Sequence, residues 1–439
     1  MTTRTITADE SPRAQPRVDH LYLALAGGRA GSGARWTLRG IDRIEIGRGA
    51  VRGWRRSGGT LRVDVADPWM SSTHLRFERE IAHWVAVDAG SRNGILIDGA
   101  GAGRCVVRDD SVVEAGRSFF LLRSGEPAGA EVVELAARSE PGTLVTLDPE
   151  LANTFDELAR IAPTAVPVLI GGATGTGKER VARAIHAASR RGGAYVPVNC
   201  GALPAGLVEA ELFGHKRGAF SGAIADAPGL VATASGGTLF LDEIGDLPPP
   251  AQAALLRVLE AHEVRAVGAT TATRVDLRVV AATHRDLAAM SAERTFREDL
   301  LARIAGFSIE VPPLAERRVD LGTILSEVAP DAALAAATAR ALFAYAWPRN
   351  IRELVRAIER ASALAGTREI ELAHLPPEVA GATFDPPVPA NDARRAELVA
   401  LLEKHEGNVT KVARELGHVR QQVQRWLKRY RLDPERYRR

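Results

Sequence analysis

Two cysteines in 439 residues, Cys105 and Cys200, with no CxxC spacing and no Cys/His cluster around them, exclude a disulfide framework and a structural zinc site. Long apolar runs are missing too. No uninterrupted stretch of roughly 18 apolar residues occurs, which argues against a membrane-spanning helix. The opening MTTRTITADESPRAQPRVDH is polar and proline-bearing and lacks the apolar segment of a secretory leader. The expectation is a soluble, cytoplasmic protein without a membrane partner. A strong excess of one charge is likewise absent, since 57 Lys+Arg face 54 Asp+Glu for a total of +3. That total conceals an uneven distribution. From Asn391 to Arg439 there are 13 basic and 7 acidic residues, a local +6, so the preceding 390 residues sum to −3. A basic C-terminus suits a polyanionic partner.

What is present reads as a multidomain chain, and the length predicts about three domains. Residues 1–19 read as a disordered tail. Over 20–124 short apolar stretches at β spacing (LYLAL, RIEIG, LRVDV, WVAVD, FFLLR) are punctuated by Gly, Ser, Asn and Asp, which predicts an all-β sandwich or barrel. The Gly/Pro/Glu-rich stretch 125–145 reads as a linker. Strand and helix patterns alternate over 146–312, predicting an α/β domain with a parallel sheet. Residues 313–379 are Ala/Leu/Arg-rich at helical spacing and predict a helical subdomain. A second linker, 380–391, precedes an all-helical block over 392–439.

The most specific motif is GATGTGKE, Gly172, Ala173, Thr174, Gly175, Thr176, Gly177, Lys178 and Glu179, set between the apolar strand VPVLI and a helical segment. Glycines let backbone N–H groups surround phosphate oxygens, the helix N-terminus adds its positive dipole end, and Lys178 reaches the β/γ-phosphates. Glu179 stands where a Ser/Thr ligand for Mg²⁺ is usual, so the metal needs water and another carboxylate. The strand TLFLD supplies one by ending in Asp242 and Glu243. Asp242 is suited to hold Mg²⁺, and Glu243 to activate the attacking water. A DE pair alone says little. Behind a P-loop it predicts ATP hydrolysis.

Between these motifs lies ELFGHKRGAFSGA, residues 211–223. It resembles the GAFTGA loop of the AAA+ activators of sigma-54 RNA polymerase, the bacterial enhancer-binding proteins, and the resemblance covers about 146 to 375. It implies ATP and Mg²⁺ as cofactors, a hexameric ring as the homo-oligomer, and sigma-54 holoenzyme as a partner touched by Gly218, Ala219, Phe220, Ser221, Gly222 and Ala223. It also implies that Asn199 couples Glu243 to the γ-phosphate. FREDLLARI resembles the arginine-finger stretch, so Arg297 and Arg303 would act on a neighbouring subunit's nucleotide. WPRNIREL resembles the second sensor, with Arg352 on the nucleotide, and AATHRDL the first, with His284 where Asn is usual. Ser221 replaces the usual Thr, Ala173 the P-loop Glu, and Arg349 the Gly of WPGN.

The β-rich block carries Gly47–Arg48, then Ser71, Ser72, Thr73 and His74, then GSRNG at 90–94. In order and spacing these resemble the forkhead-associated (FHA) domain, a phosphothreonine reader. A dianionic phosphate needs a guanidinium and hydroxyl donors converging from loops. By resemblance Arg48 and Ser71 bind phosphate, Ser72 and Asn93 hold the peptide main chain, and His74 braces the loop. A partner carrying phosphothreonine, or a Ser/Thr kinase, is implied; the plainer alternative is a β-domain that only mediates assembly. Arg92 replaces the usual Thr.

The last block resembles a Fis-type helix-turn-helix, with Gly417 at the turn. Arg420, Gln421, Gln422 and Gln424 fall at the start of the second helix, where side chains meet base edges, while Lys411, Arg425, Lys428 and Arg429 suit phosphates. The whole resembles an enhancer-binding, ATP-driven activator of sigma-54 polymerase. Its rivals are a DNA-binding repressor, or a remodeller whose ATPase does not engage sigma-54.

Overall fold

The computed structural model describes residues 16–135, 142–384, 398–416, 423–424, 427 and 432–437, apart from Ser32, Ile81, Ala82, Ala205 and Asp331. Among them no helix is long and apolar enough to cross a membrane. The chain divides into two compact units.

One unit contains residues up to 138, 318–345 and 360 onward. Its N-terminal part is a two-sheet sandwich. One sheet runs in the order Val132–Glu134, Ala34–Thr37, Arg17–Leu25, Ser118–Pro127, Val112–Ala115, Ile95–Ile97, Ala100–Ala102. The other runs Arg104–Val107, His83–Asp88, Leu75–Glu80, Arg43–Arg48, Thr60–Val65, Gly53–Ser57. Period-2 alternation builds the core: along TLRVDV, Leu61, Val63 and Val65 are buried and meet Trp36, Phe77 and Phe120 from other strands. Two expected boundaries move. Arg17 to Asp19, placed in the tail by sequence, begin the first strand, and residues 1–15 lie outside the described residues. The expected linker 125–145 is in part sheet: the strand from Ser118 runs to Pro127, and Val132–Glu134 pairs antiparallel with Ala34–Trp36. A three-residue edge strand shows too little alternation to be read from sequence.

The same unit holds helices Leu321–Val328 and Ala336–Ala344, the short turns Leu372–His374 and Pro377–Ala380, and the end of Asn350–Ala365. No regular strand occurs among the described residues of 313–379, as the composition predicts. Its C-terminal residues form a small core of Leu398, Leu402, Val412, Ala413, Val423, Leu427 and Leu432.

The second unit, 139–317 with 346–359, is built on an all-parallel five-stranded sheet, with a separate antiparallel pair, Glu263–Val264 and Thr273–Arg274. Its order is Tyr195–Asn199, Thr238–Asp242, Arg278–Thr283, Val168–Gly171, Phe307–Glu310. The first strand in sequence therefore lies between the fourth and fifth. Parallel strands are read in one direction, so the loops after Gly171, Asp242 and Thr283 share one edge, the place where open α/β sheets bind ligands. A buried arginine ties this sheet to its covering helix. Arg278, inaccessible to solvent, donates to the carbonyls of Ala162 (2.5 Å) and Thr164 at the end of Pro149–Ile161, supplying what orphan carbonyls of a helix terminus need. Burial depresses its guanidinium to about 10.

Candidate functional site

The loop 172–177 turns from strand to helix through three glycines at positive φ, Gly172, Gly175 and Gly177. Gly175 shows the requirement: a Cβ there would sit 2.3 Å from the carbonyl oxygen of Arg349, in a backbone region that L side chains rarely adopt. Helix Lys178–Ala188 starts immediately afterwards. Lys178 is almost fully buried, and its Nζ donates to the carbonyls of Gly172 (2.7 Å) and Ala173 (3.3 Å), with a Glu243 oxygen 3.9 Å away. Burial lowers its pKa despite the neighbouring carboxylates. The hydroxyl of Thr176 donates to Ala173 O at 2.9 Å, and Asn350 Nδ2 donates to Thr174 O at 3.0 Å. Glu179 points to Arg183 instead (2.8 Å), an i,i+4 ion pair on the exposed face.

A cleft of about 610 Å³ opens over this loop, of a size that takes a nucleotide. Thr174, Lys178, Asn199, Asp242, Glu243 and Arg352, all expected from sequence, line it. Glu243 occupies a left-handed backbone conformation (φ 53°, ψ 51°), a strained position for a residue with a side chain and the kind retained at functional sites. Burial first, then the charge of Glu243, raises the pKa of Asp242. Two adjacent carboxylates in a partly dry site offer hard oxygen ligands. That fits Mg²⁺, which commonly takes one or two protein carboxylates together with substrate phosphates.

Asn199 and Glu243 each make a specific contact within the unit. Asn199 lines the cleft, but its Oδ1 accepts from Ala202 N–H (3.2 Å), capping the short helix Cys200–Ala202. The carboxylate of Glu243 meets His284, whose Nδ1 lies 2.6 Å from Oε2 and whose backbone N–H donates to the same oxygen at 3.3 Å. Sequence reasoning also missed Arg356, which lines the cleft one turn after Arg352 and could have been found from that i,i+4 spacing. It missed Arg317, donating to Thr176 O at 3.2 Å, and Asn350, which bridges Leu314 N and Thr174 O; no local pattern announces either. Cys200 is buried, and its thiol is pushed up to about 12 by that burial.

Arg297 and Arg303 are exposed and are not among the residues that line this cleft. Arg297 pairs with Asp299 at 2.7 Å, and the buried Gln252 accepts from the Arg297 backbone N–H at 2.9 Å. The loop 218–223 is a compact turn: Gly218 N–H donates to Ala223 O (2.8 Å), Ala223 N–H to Phe220 O (3.0 Å), and Gly218 and Gly222 have positive φ. Phe220 is half-buried, edge-on to His215 with centroids 5.0 Å apart, whereas Ser221 is exposed. Asp226 anchors the base through Lys216 (2.6 Å) and the Arg217 N–H (2.8 Å), and Ile224 beside it is 84% exposed.

Family models match three consecutive stretches: a sigma-54 interaction domain over 144–310, an AAA+ ATPase lid domain over 312–391, and a homeodomain-like domain over 389–435. The transcriptional regulatory protein GlrR of Escherichia coli K12 is 39% identical, covering 66% of this chain and 68% of its own. The chain belongs to the sigma-54-interacting transcriptional regulators. The hydrogenase transcriptional regulatory protein HoxA of Bradyrhizobium diazoefficiens is 41% identical over 73% of this chain and 74% of its own. The crystal structure of NtrX from Brucella abortus in complex with ADP superposes with a TM-score of 0.51 at 31% identity, covering 66% of this chain and 70% of that one. The central unit is accordingly an AAA+ ATPase. The matched lid domain runs through the expected linker 380–391, of which 385–391 lie outside the described residues.

On the N-terminal sandwich of this family member, the three short motifs meet at one end. Arg48 N–H donates to Ser71 O (2.9 Å), and Arg92 N–H to Ser71 Oγ (3.2 Å). Buried His74 accepts from Ser71 N–H at Nδ1 (3.0 Å), which leaves Nε2 as the donor to Gly94 O (2.9 Å). It thus braces one loop against the next. Asn93 Nδ2 donates to Trp69 O at 2.7 Å, and the side chains of Arg48, Ser72 and Asn93 are exposed around Ser71. At the C-terminus, Asn408 caps Val409–Glu415 by accepting from Thr410 and Lys411, and Lys411 and Gln424 are exposed. Gly417, Arg420, Gln421, Gln422, Arg425, Lys428 and Arg429 lie outside the described residues.

Proposed function

We propose that the chain is an ATP-driven activator of sigma-54 RNA polymerase, bound at enhancer DNA and controlled through a phosphothreonine-reading N-terminal domain. The observation that carries the reading is the convergence of Lys178, Asp242, Glu243 and Arg352 on one cleft in a unit that also presents the 218–223 loop. On binding ATP, Lys178 exchanges the loop carbonyls for phosphate oxygens, and the backbone N–H groups of 174–178 cradle the rest. Arg352 and Arg356 balance phosphate charge. Asp242 would hold Mg²⁺, which would neutralise phosphate charge when bound. Glu243 orients the attacking water and takes its proton, with His284 fixing the carboxylate. Arg297 and Arg303 of a neighbouring copy supply positive charge to the transferring phosphoryl group, which makes turnover depend on a ring, taken as a hexamer. Loss of the γ-phosphate is then transmitted to Phe220 and Ser221 against sigma-54, remodelling the closed promoter complex.

The N-terminal reading rests on the clustering of Arg48, Ser71, Ser72 and Asn93 at one end of the sandwich. The C-terminal residues 392–439 are proposed as a Fis-type reader, with Lys411 on phosphate and Gln424 at the base-reading helix. The test is promoter opening by purified sigma-54 holoenzyme with ATP. Wild type should open DNA, Lys178→Ala should abolish ATP turnover and opening, and Ser221→Ala should keep turnover while weakening opening. ATP hydrolysis by wild type with no opening at any enhancer promoter would leave the repressor or remodeller reading in its place.

A further inference from the structure

The N-terminal sandwich and the AAA+ lid are built into a single unit, and their contact is extensive. Leu334 N–H donates to Gly28 O (2.7 Å) and Ala30 N–H to Ala332 O (3.2 Å), so a lid segment adds an antiparallel bridge beside the sandwich. Helix Leu321–Val328 lies so close to the first strand that a Cβ on Gly322 would stand 2.0 Å from Ala24 O. Phe119 and Phe343 stack with centroids 5.0 Å apart, and Arg340 grips buried Glu114 through two bonds of 2.8 and 2.9 Å. At the rim, Arg117 pairs with Glu369 of the lid, both of them partly exposed.

That rim leads to the candidate phosphopeptide end. The guanidinium of Arg117 lies 4.6 Å over the Trp69 ring. The carbonyl of Trp69 accepts from Asn93. Buried Asp67 ties the strip together, accepting from Trp69 N–H (2.9 Å) at one oxygen and from Arg117 N–H and Ser118 Oγ (2.8 Å each) at the other. The centre of the contact is backbone, stacked rings and a buried ion pair, costly to break. The Arg117–Glu369 pair is the part that can rearrange cheaply, because exposed ion pairs carry little energy.

We propose that phosphothreonine binding at Arg48, Ser71 and Asn93 is transmitted through Asn93, Trp69, Arg117 and Glu369 to the AAA+ lid, making the phosphopeptide an allosteric effector of ATP turnover rather than a tether. A peptide main chain that draws the Asn93 amide toward itself competes with its bond to Trp69 O, and loss of that bond frees Trp69 to shift beneath Arg117. The inference rests on the phosphothreonine reading of the sandwich. It differs from a tether in one consequence: coupling free energy is reciprocal, so nucleotide must change peptide affinity by the factor by which peptide changes nucleotide affinity.

The experiment uses the full-length protein, a degenerate phosphothreonine peptide library and its unphosphorylated counterpart. Peptide affinity is measured with and without ADP, and ADP affinity and ATP turnover with and without saturating peptide. Wild type should bind the phosphorylated library selectively, show matching changes of about fivefold or more in peptide and ADP affinity, and change its turnover when peptide is bound. Glu369→Gln and Arg117→Gln should bind peptide as wild type does and lose both effects, with basal turnover kept. Absence of selective binding, or no loss in Arg48→Ala, would remove the phosphothreonine reading and the inference with it. Selective binding with no change in turnover or reciprocal affinity, or full coupling retained in Glu369→Gln, would overturn the inference and leave the sensor standing.

Discussion

Asp242 is expensive where it stands. Burial and the adjacent Glu243 charge raise its pKa, so its ionised form is disfavoured in the folded protein. For a carboxyl whose folded pKa is raised, the penalty is absent below the unfolded value of roughly 4 and grows as pH rises through the folded value. Asp242→Asn should therefore raise the melting temperature at pH 7 in the absence of nucleotide by about 2–4 °C, corresponding to about 1 kcal/mol, while abolishing ATP turnover. The gain should shrink as the melt is moved toward pH 4; a loss of stability at pH 7 would contradict it. Asp242 and Lys178 were legible in sequence because each closes a local pattern, a strand followed by charge and a strand followed by a glycine loop. The Glu243–His284 contact was not, because it joins residues 41 positions apart whose approach depends on the order of strands in the sheet.

Elements show the same division. Strands such as Thr60–Val65 and Arg278–Thr283 are evident from alternation or from a continuous apolar run. Val132–Glu134 was hidden in a Gly/Pro/Glu-rich stretch, because pairing with Ala34–Trp36, rather than its own residues, makes it a strand. Arg278 is hidden for another reason. A lone arginine opening an apolar strand suggests a solvated end, yet it is fully buried against the end of Pro149–Ile161. Arg278→Met preserves much of the volume but strands the Ala162 and Thr164 carbonyls. Chemical denaturation should show a loss of about 3 kcal/mol with an unchanged m-value; a change under 1 kcal/mol would mean that water replaces the guanidinium.

At the scale of the whole molecule, the near-neutral total is an average over segments of unlike charge. The +6 over residues 391–439 predicts DNA binding that weakens steeply with salt. Lys411→Ala, removing one exposed charge at the start of Val409–Glu415, should weaken binding equally on specific and unrelated duplexes and reduce the salt slope by about 1. A selective loss on the specific duplex would make Lys411 a base reader instead. The division into sandwich, ATPase and helical C-terminal block was legible because each has its own periodicity; the attachment of sandwich to lid was not, since it is made by Gly28, Gly322, Phe119 and Arg340, which share no motif. The burial of both cysteines has a practical consequence of its own. With the Cys200 thiol pushed up to about 12 and Cys105 also raised by burial, the folded protein should resist maleimide at pH 7 and take up two equivalents only once unfolded. The natural chain is then already a silent background for labelling, and Ser221→Cys would place a lone fluorophore on the 218–223 loop to report its excursions during turnover.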